Sequence, residues 1–530
     1  MHDAPRPARS DQPRSVYDLV SRSAARTPRR LAIVDGRRRL SWEELAAAVE
    51  ATAAGLRAAG LAVGDRLVAQ LPTGLELVEV YLGALRAGII VVPVNPAYTL
   101  PELRTVLADS GARALVTASV DALTAAEELR TGPLDIVIAA PQASDSATPP
   151  DGTRSLAELV ATAAQAPQPI DPLSLDPEEL DPEAVAVLLY TSGTSGRPKG
   201  AMLTHRALLA NIKQGTSIDP PPMTSNDVIL LPIPLSHIYG LNAGLGFAFA
   251  SGSAVVLVDR FDVAQTLQLM TEEGVTVLIG APAMFAAWAR APDFADRLRG
   301  VRFALSGSEP LSTALVARYA AAGVALHEGY GLTEAAPVVT SNATDRDGRS
   351  RLGHPKAGSV GAALPGVEIS LRDPSGGPAE DDDPGLVAVR GANLFSGYWP
   401  DGAGGPDDEG WFVTGDLGYL DSDGDLVLVG RDSDLVLVNG FNVYPAEVET
   451  VFAGLDGVAE VAVVGVPDEA TGEAVVAYVV ARPGARLDPN DLLGAAAGAL
   501  ARFKLPRRVE IVAALPYTVT GKVKKWLLRT

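Results

Sequence analysis

At 530 residues the chain exceeds the roughly 250–300 at which single hydrophobic cores stop growing, so two or more domains are expected. Its composition, 47% hydrophobic and 20% charged, is that of a globular protein, and no apolar run approaches the ~18 residues of a membrane span. The formal charge of −20, from 44 basic and 64 acidic side chains, argues against a nucleic-acid or anionic-membrane binder, and zero cysteines exclude disulfides, thiolate metal sites and a protein-borne thioester.

The opening stretch, MHDAPRPARSDQPRS (1–15), lacks an apolar h-region, so a disordered leader is expected rather than a signal peptide, with the cytoplasm as default location. Ser41 and Glu44 predict a capping box ahead of the helical run WEELAAAVEATAAGLRAAG. RLVAQLP then reads as a strand, ELVEVYLGALRAG as a helix and IIVVPV as a buried strand, the alternation of βαβ units on a mostly parallel sheet. Residues 142–183, rich in Pro, Asp and Ser, break this pattern and read as a surface connection. AVAVLLY (184–190) resumes it as a strand, TSGTSGRPKG (191–200) follows as a loop, and THRALLANI starts a helix. AVVLV, VTVLIG and VRFALSG are further strands with helical stretches between them. From about residue 355, GVEISL, GLVAVRG, GWFVTGD and GDLVLVG are short strands with turn signals, which suggests a small antiparallel barrel or sheet. DSDGD (421–425) looks like a calcium loop, but its glycine stands fourth rather than sixth and no glutamate stands twelfth, so an Asp-Gly hairpin turn is expected there and no metal. Beyond Arg431 the strands AEVAVVGV and AVVAYVVA mix with the helices PAEVETVFAGL and DPNDLLGAAAGALARF. No solenoid-period repeat and no heptads occur.

The loop TSGTSGRPKG is the strongest chemical signal. Glycines admit positive φ and let backbone N–H groups approach a ligand, hydroxyls add neutral donors, and Lys199 supplies a point charge. With a strand before it and a helix N-terminus behind it, the natural ligand is a polyphosphate. A Gly/Ser linker would have this composition, but a linker rarely sits between a buried strand and a helix. The Walker pattern also fails, because Gly200 rather than a hydroxyl follows Lys199 and Pro198 precedes it; GxGxxG is missing.

YTSGTSGRPKGAMLTH (190–205) resembles the phosphate loop of the adenylate-forming enzymes: acyl-CoA synthetases, luciferases and peptide-synthetase adenylation domains. The family's other motifs follow in order: PLSHIYG (234–240), SGSEPL (306–311), EGYGLTEAAP (328–337), GWFVTGD (410–416), GRDSD (430–434), NGFNVYPAEVE (439–449) and PYTVTGK (516–522). The resemblance runs from about residue 16 to the end. It implies an α/β fold, with a large N-terminal domain (16–430) of two βα subdomains plus a small β-barrel. A hinge at 431–433 and a small mobile α+β C-terminal domain (434–530) would follow.

The same resemblance assigns roles. Thr191, Ser192, Gly193, Thr194 and Lys199 would hold the ATP phosphates; Gly307, Ser308, Glu309 and Pro310 would wall the adenine pocket. In the YGLTE stretch with Gly329 and Gly331, Tyr330 would lie against adenine, Thr333 would bond phosphate and Glu334 would hold Mg²⁺, a hard cation suited to carboxylate and phosphate oxygens. Asp416 would accept the ribose hydroxyls beside Arg431, and Lys522 would be the adenylation lysine. Ser433 stands where relatives carry Lys or Asp as hinge, and a small residue can absorb backbone rotation there. His237 would gate the carboxylate and thiol; Ile238, Tyr239, Gly240, Gly440 and Phe441 would line the acyl and CoA path. Ile238 occupies the place of an acid in amino-acid-activating relatives, which argues against an amino-acid substrate.

The expected activity is an ATP-dependent acid–thiol ligase that forms an acyl-adenylate and then acyl-CoA. Its partners would be a small carboxylic acid, ATP and CoA, on a monomer or dimer. Gly240, Gly244 and Gly246 suggest room for a chain, so a medium- or long-chain fatty acid is favoured. The alternatives are a hydroxycinnamate-type acid, a carrier protein as acyl acceptor, and a nucleotide sensor without turnover, against which Lys522, Glu334 and Asp416 speak.

Overall fold

The computed structural model describes residues 12–130, 132–141, 152–164, 180–191, 198–373, 375–379, 384–438, 441–468, 471–517 and 523–529. The chain gathers into two units: one takes in the chain up to Glu368 together with Arg390–Phe412, the other Ile369–Val389 and the chain from Val413 onward.

The first unit is built on two sheets. In one, the order is Arg154–Ser155, Ile136–Ala139, Ala114–Thr117, Arg66–Gln70, Ile90–Pro93, Val185–Thr191 and Lys199–Thr204. The pairs along it are parallel up to Val185–Thr191, which turns back antiparallel onto Lys199–Thr204. In the other, Leu31–Asp35 pairs with Ala254–Leu257, and Val228–Leu231, Val277–Gly280, Phe303–Ser306 and Leu326–Gly331 continue in parallel. Strands buried on both faces need apolar residues at every position, and AVVL, VLIG and FALS are each wholly buried. One face packs on an aromatic cluster in which Phe285 stands edge-on to both Trp288 and Tyr319. The capping box forms as expected: Ser41 N–H donates to Glu44 Oε2 at 2.8 Å, and Glu44 N–H donates to Ser41 Oγ.

Two expectations are corrected. The TSGTSGRPKG loop joins two strands, not a strand to a helix: Thr191 pairs with Lys199 and Tyr190 with Gly200, so the helix His205–Thr216 begins only after a second strand. Its N-terminus, capped by Thr204, therefore does not lie directly behind the loop. The stretch 142–183 is not connection alone, because Arg154–Ser155 extends the first sheet and the apolar run LAELVATAA forms the helix Leu156–Ala164. That helix comes so close to Gly55 that a Cβ there would lie 3.2 Å from the Leu159 carbonyl carbon. The small antiparallel barrel or sheet expected beyond residue 355 is present, among the described residues, as a four-stranded sheet in the order Val367–Arg372, Gly385–Gly391, Trp411–Leu420 and Leu426–Arg431.

Most of that sheet belongs to the second unit, whose other sheet is formed by Val436–Val438, Phe441–Val443, Val458–Asp468, Gly472–Ala481 and Arg508–Val512. Pro445–Ala453 and Pro489–Ala496 cover it around a core of Val436, Phe452, Val463 and Val479. The DSDGD stretch is the expected hairpin turn, with Leu420 paired to Leu426 and the Asp421 carboxylate accepting the N–H groups of Asp423 and Asp425.

Candidate active site

The first unit brings several of the expected residues together around the antiparallel hairpin Val185–Thr191/Lys199–Thr204. Thr191 and Lys199 face each other across its open end. Ser192, Gly193 and Thr194 lie outside the described residues. Lys199 is exposed, and its Nζ stands 5.2 Å from the centre of the Tyr398 ring, within cation–π range. The segment holding Tyr398 is laced to the hairpin: Trp399 N–H donates to Gly200 O at 2.8 Å, and Met202 N–H to Gly397 O at 3.0 Å.

Leu326–Gly331 delivers the next group. Gly331 must be glycine, because a Cβ there would fall 2.2 Å from Pro337 O as the chain doubles back into Val338–Ser341. Between them Thr333–Ala335 forms one 3₁₀ turn, and Thr333 and Glu334 are half-buried. The Tyr398 hydroxyl donates to Glu334 Oε1 at 2.6 Å, and Phe395 N–H donates to Glu334 O at 2.8 Å. Burial, with the Glu334 carboxylate beside it, holds the Tyr398 phenol above the ordinary tyrosine range, so it remains a neutral donor. Tyr330 is buried.

The loop after Phe303–Ser306 carries Gly307, Ser308, Glu309 and Pro310. Gly307 is buried, and Ser308 holds a φ of 80°, a left-handed conformation uncommon for a residue with a Cβ. Leu311 N–H donates to Glu328 Oε1 at 3.0 Å, tying this loop to the strand that ends in Gly329, Tyr330 and Gly331. Glu328 is 7% exposed, and burial pushes its carboxyl up to about 7.

His237 is half-buried, and its Nδ1 accepts the Tyr239 N–H at 3.2 Å, which leaves Nε2 to carry the proton of the neutral ring. Ile238 is buried, and Tyr239 opens a π-helix, Tyr239–Gly246. The Tyr239 hydroxyl donates to Leu305 O at 3.0 Å, and its ring lies so close to Gly307 that a Cβ there would stand 3.1 Å from Cζ. The glycines expected to leave room for a chain do not. A Cβ at Gly240 would meet Pro234 O at 2.5 Å, at Gly244 Leu231 Cδ1 at 2.5 Å, and at Gly246 Ile212 Cδ1 at 2.8 Å. They are glycines because backbone and side chains already fill the space.

In the second unit, Asp416 and Arg431 form the expected pair, Arg431 Nε donating to Asp416 Oδ1 at 3.0 Å across an antiparallel register. Ser433 lies in the 3₁₀ turn Asp432–Asp434, its side chain outside the described residues. Phe441 is exposed and stacks on Phe503 at 4.9 Å. Gly440 and Lys522 lie outside the described residues. A cavity of 370 Å³ opens here, lined among others by Thr471, Val475, Arg502, Phe503 and Arg507.

Sequence reasoning passed over Tyr398, Glu328 and this cavity. Tyr398 stands in FSGYWPDGAGG, whose glycines flag a tight turn, but its partner Glu334 lies 64 positions away.

The chain matches the AMP-binding enzyme model over residues 20–399 and the AMP-binding enzyme C-terminal domain over 447–522. It belongs to the AMP-binding enzyme family, the class of adenylate-forming enzymes. A feruloyl-CoA synthase of an Amycolatopsis species is 35% identical over 96% of this chain and 97% of its own. A long-chain-fatty-acid–CoA ligase of Bacillus subtilis (strain 168) is 31% identical over 98% and 94%. Among solved structures, ATP-bound MatB from Rhodopseudomonas palustris superposes with a TM-score of 0.85 at 34% identity, over 97% of this chain and 98% of that one. Within the family, the chain is an AMP-forming acyl-CoA synthetase. Among the described residues no helix is long and apolar enough to cross a membrane.

Proposed function

We propose that this synthetase activates a compact, flat carboxylic acid of the arylpropenoic type, the class named for its feruloyl relative, and transfers it to CoA. One observation carries the choice of acid. Tyr239, its hydroxyl bonded to Leu305 O, closes against Gly307, and the glycine row behind it is filled by Pro234, Leu231 and Ile212. An extended alkyl chain running along the π-helix would have to displace a bonded tyrosine, whereas an aromatic ring can stack against it at little cost. Ile238 offers no charge to an α-ammonium.

The acid's carboxylate attacks the α-phosphorus of ATP and pyrophosphate leaves; the CoA thiol then attacks the acyl carbon and AMP leaves. Lys199 and Thr333 are assigned to the phosphates, Asp416 with Arg431 to the ribose, and Tyr330 with the 307–310 loop to adenine. Glu334 fits a hard divalent cation such as Mg²⁺: a neutral phenol holds one oxygen, and the other has no protein partner among the described residues. When bound, the ion offsets charge on the phosphate oxygens. His237 is assigned to the path of the acyl carboxylate and thiol, Gly440 and Phe441 to that of CoA, and Ser433 to the hinge. The cavity beside Phe503, lined also by Arg502 and by Arg507, whose guanidinium pairs with Asp468, suits a phosphorylated adenosine. It favours CoA over a carrier protein.

Pyrophosphate release, measured over an acid panel with and without CoA, tests this reading. Ferulate and coumarate should exceed every fatty acid from hexanoate to palmitate in kcat/KM, and acyl-CoA should accumulate. Tyr239→Ala should shift the preference toward the longer fatty acids, each accommodated methylene contributing ~0.8 kcal/mol. A wild-type optimum at a long fatty acid would overturn the assignment.

A further inference from the structure

We propose that Tyr398 is a positioning residue for adenylation: its hydroxyl orients Glu334 while its ring keeps Lys199 apart from that carboxylate. The inference rests on the roles proposed above for Glu334 and Lys199.

Surrounding backbone holds the ring in place. Tyr398 N–H donates to Ala403 O at 3.0 Å, and Gly402 N–H returns to Tyr398 O at 2.9 Å. This tight turn exists because Gly397, at φ 94°, admits Gly402 O where a Cβ would stand 2.0 Å from it. Gly404 lets the chain lie on the ring, where a Cβ would sit 3.2 Å from Cδ2, and Phe395 meets the ring edge-on at 5.1 Å. The segment is bound to both partners' elements, through Gly200 and Met202 of the hairpin and through Phe395 to Glu334 O.

Packing alone would be served by phenylalanine. The hydroxyl adds a directed bond of 2.6 Å to Glu334 Oε1 that leaves Oε2 for a cation. The donor's neutrality matters. A lysine or arginine here would hold the carboxylate equally well and cancel the charge that attracts a divalent ion, whereas a phenol orients it and leaves the full negative charge in place. The ring does the converse for Lys199. Its π face holds the ammonium at 5.2 Å from the centroid, and among the described residues Lys199 forms no ion pair. Opposite charges that would otherwise neutralise one another are thus kept separate, one for a metal and one for phosphate.

The test compares Tyr398→Phe, Tyr398→Leu, Glu334→Gln and the double variant Tyr398→Phe/Glu334→Gln. Mn²⁺ binding is followed by electron paramagnetic resonance in the presence of a non-hydrolysable ATP analogue. Tyr398→Phe should weaken Mn²⁺ binding about tenfold, as expected for loss of one hydrogen bond to a charged group. Tyr398→Leu should in addition raise the analogue's Kd, since it also frees Lys199. The double variant should be no weaker than Glu334→Gln alone, the mark of a shared effect. In activity, adenylation should fall far more than thioester formation from synthetic acyl-adenylate. Unchanged Mn²⁺ affinity in Tyr398→Phe, beside a clear loss in Glu334→Gln, would overturn the role of Tyr398. Unchanged affinity in Glu334→Gln would instead remove Glu334 as the cation ligand. Equal loss of both half-reactions with a lowered Tm would reduce Tyr398 to a structural residue.

Discussion

Glu328 illustrates how a single buried side chain can serve a site and strain the fold that holds it. Its Oε1 receives the Leu311 N–H, which anchors the loop carrying Gly307 to Pro310, yet burial pushes its pKa up to about 7. The folded state thus binds a proton over a pH range in which the unfolded chain, with an ordinary glutamate, has released it. Stability is therefore lost as pH rises from the unfolded value through 7, and the loss is complete above that. Glu328→Gln keeps an oxygen acceptor for Leu311 and removes the ionisation. It should raise Tm at pH 8 by an amount that shrinks steadily toward pH 5, read by differential scanning calorimetry. The linkage is worth at most ~3 kcal/mol. A gain independent of pH would point to packing instead. His205 and His327 set the opposite limit. Burial lowers each to about 4, so both are neutral in the fold and resist protonation as pH falls below the ordinary histidine range.

At the scale of an element, the π-helix Tyr239–Gly246 shows why a glycine-rich run reads ambiguously. Glycines can mark open space for a ligand or a place where the protein has moved in. In this chain they mark the second. Gly240 meets backbone, Pro234 O and Ile233 O, which cannot retreat, whereas Gly244 meets the end of Leu231, which can rotate. Gly240→Ala should therefore destabilise by ~1–3 kcal/mol, and Gly244→Ala by clearly less. Chemical denaturation of the two variants checks the order, and a reversed order would mean that the 233–234 backbone yields. The hairpin Val185–Thr191/Lys199–Thr204 makes a related point. KGAMLT is short and apolar enough to pass for the approach to a helix, and only its pairing with Val185–Thr191 makes it a strand.

For the molecule as a whole, the two units divide the proposed chemistry. The Lys199 hairpin, Thr333, Glu334 and the acyl wall lie in the first; Asp416, Arg431 and the Phe503 cavity lie in the second, as does the chain position of Lys522. Family resemblance assigns Lys522 to offset the negative charge that builds up as one anion attacks another, a need confined to adenylation. Lys522→Ala should then lower acyl-adenylate formation ~10²–10³-fold, the usual loss for a preorganised cation. Supplied with synthetic acyl-adenylate, the variant should form acyl-CoA at close to the parent rate. Comparable loss in both assays, with circular dichroism unchanged, would remove Lys522 from that role.

The amino-acid sequence by itself determined the order of the motifs, the alternation of strands and helices, the capping box at Ser41 and the hairpin at DSDGD. Each depends on residues within a few positions of one another, where backbone sterics and local hydrogen bonds decide. Tertiary structure alone decided the rest. Leu31–Asp35 pairs with Ala254–Leu257 across more than two hundred residues because both are apolar on two faces, a property that many strands of this chain share and that specifies no partner. Filling the glycine row with Leu231 and Ile212, seating Tyr239 against Gly307 and joining Tyr398 to Glu334 likewise depend on which side-chain volumes meet once the sheets are assembled. Close packing sets those contacts, and no local periodicity encodes them.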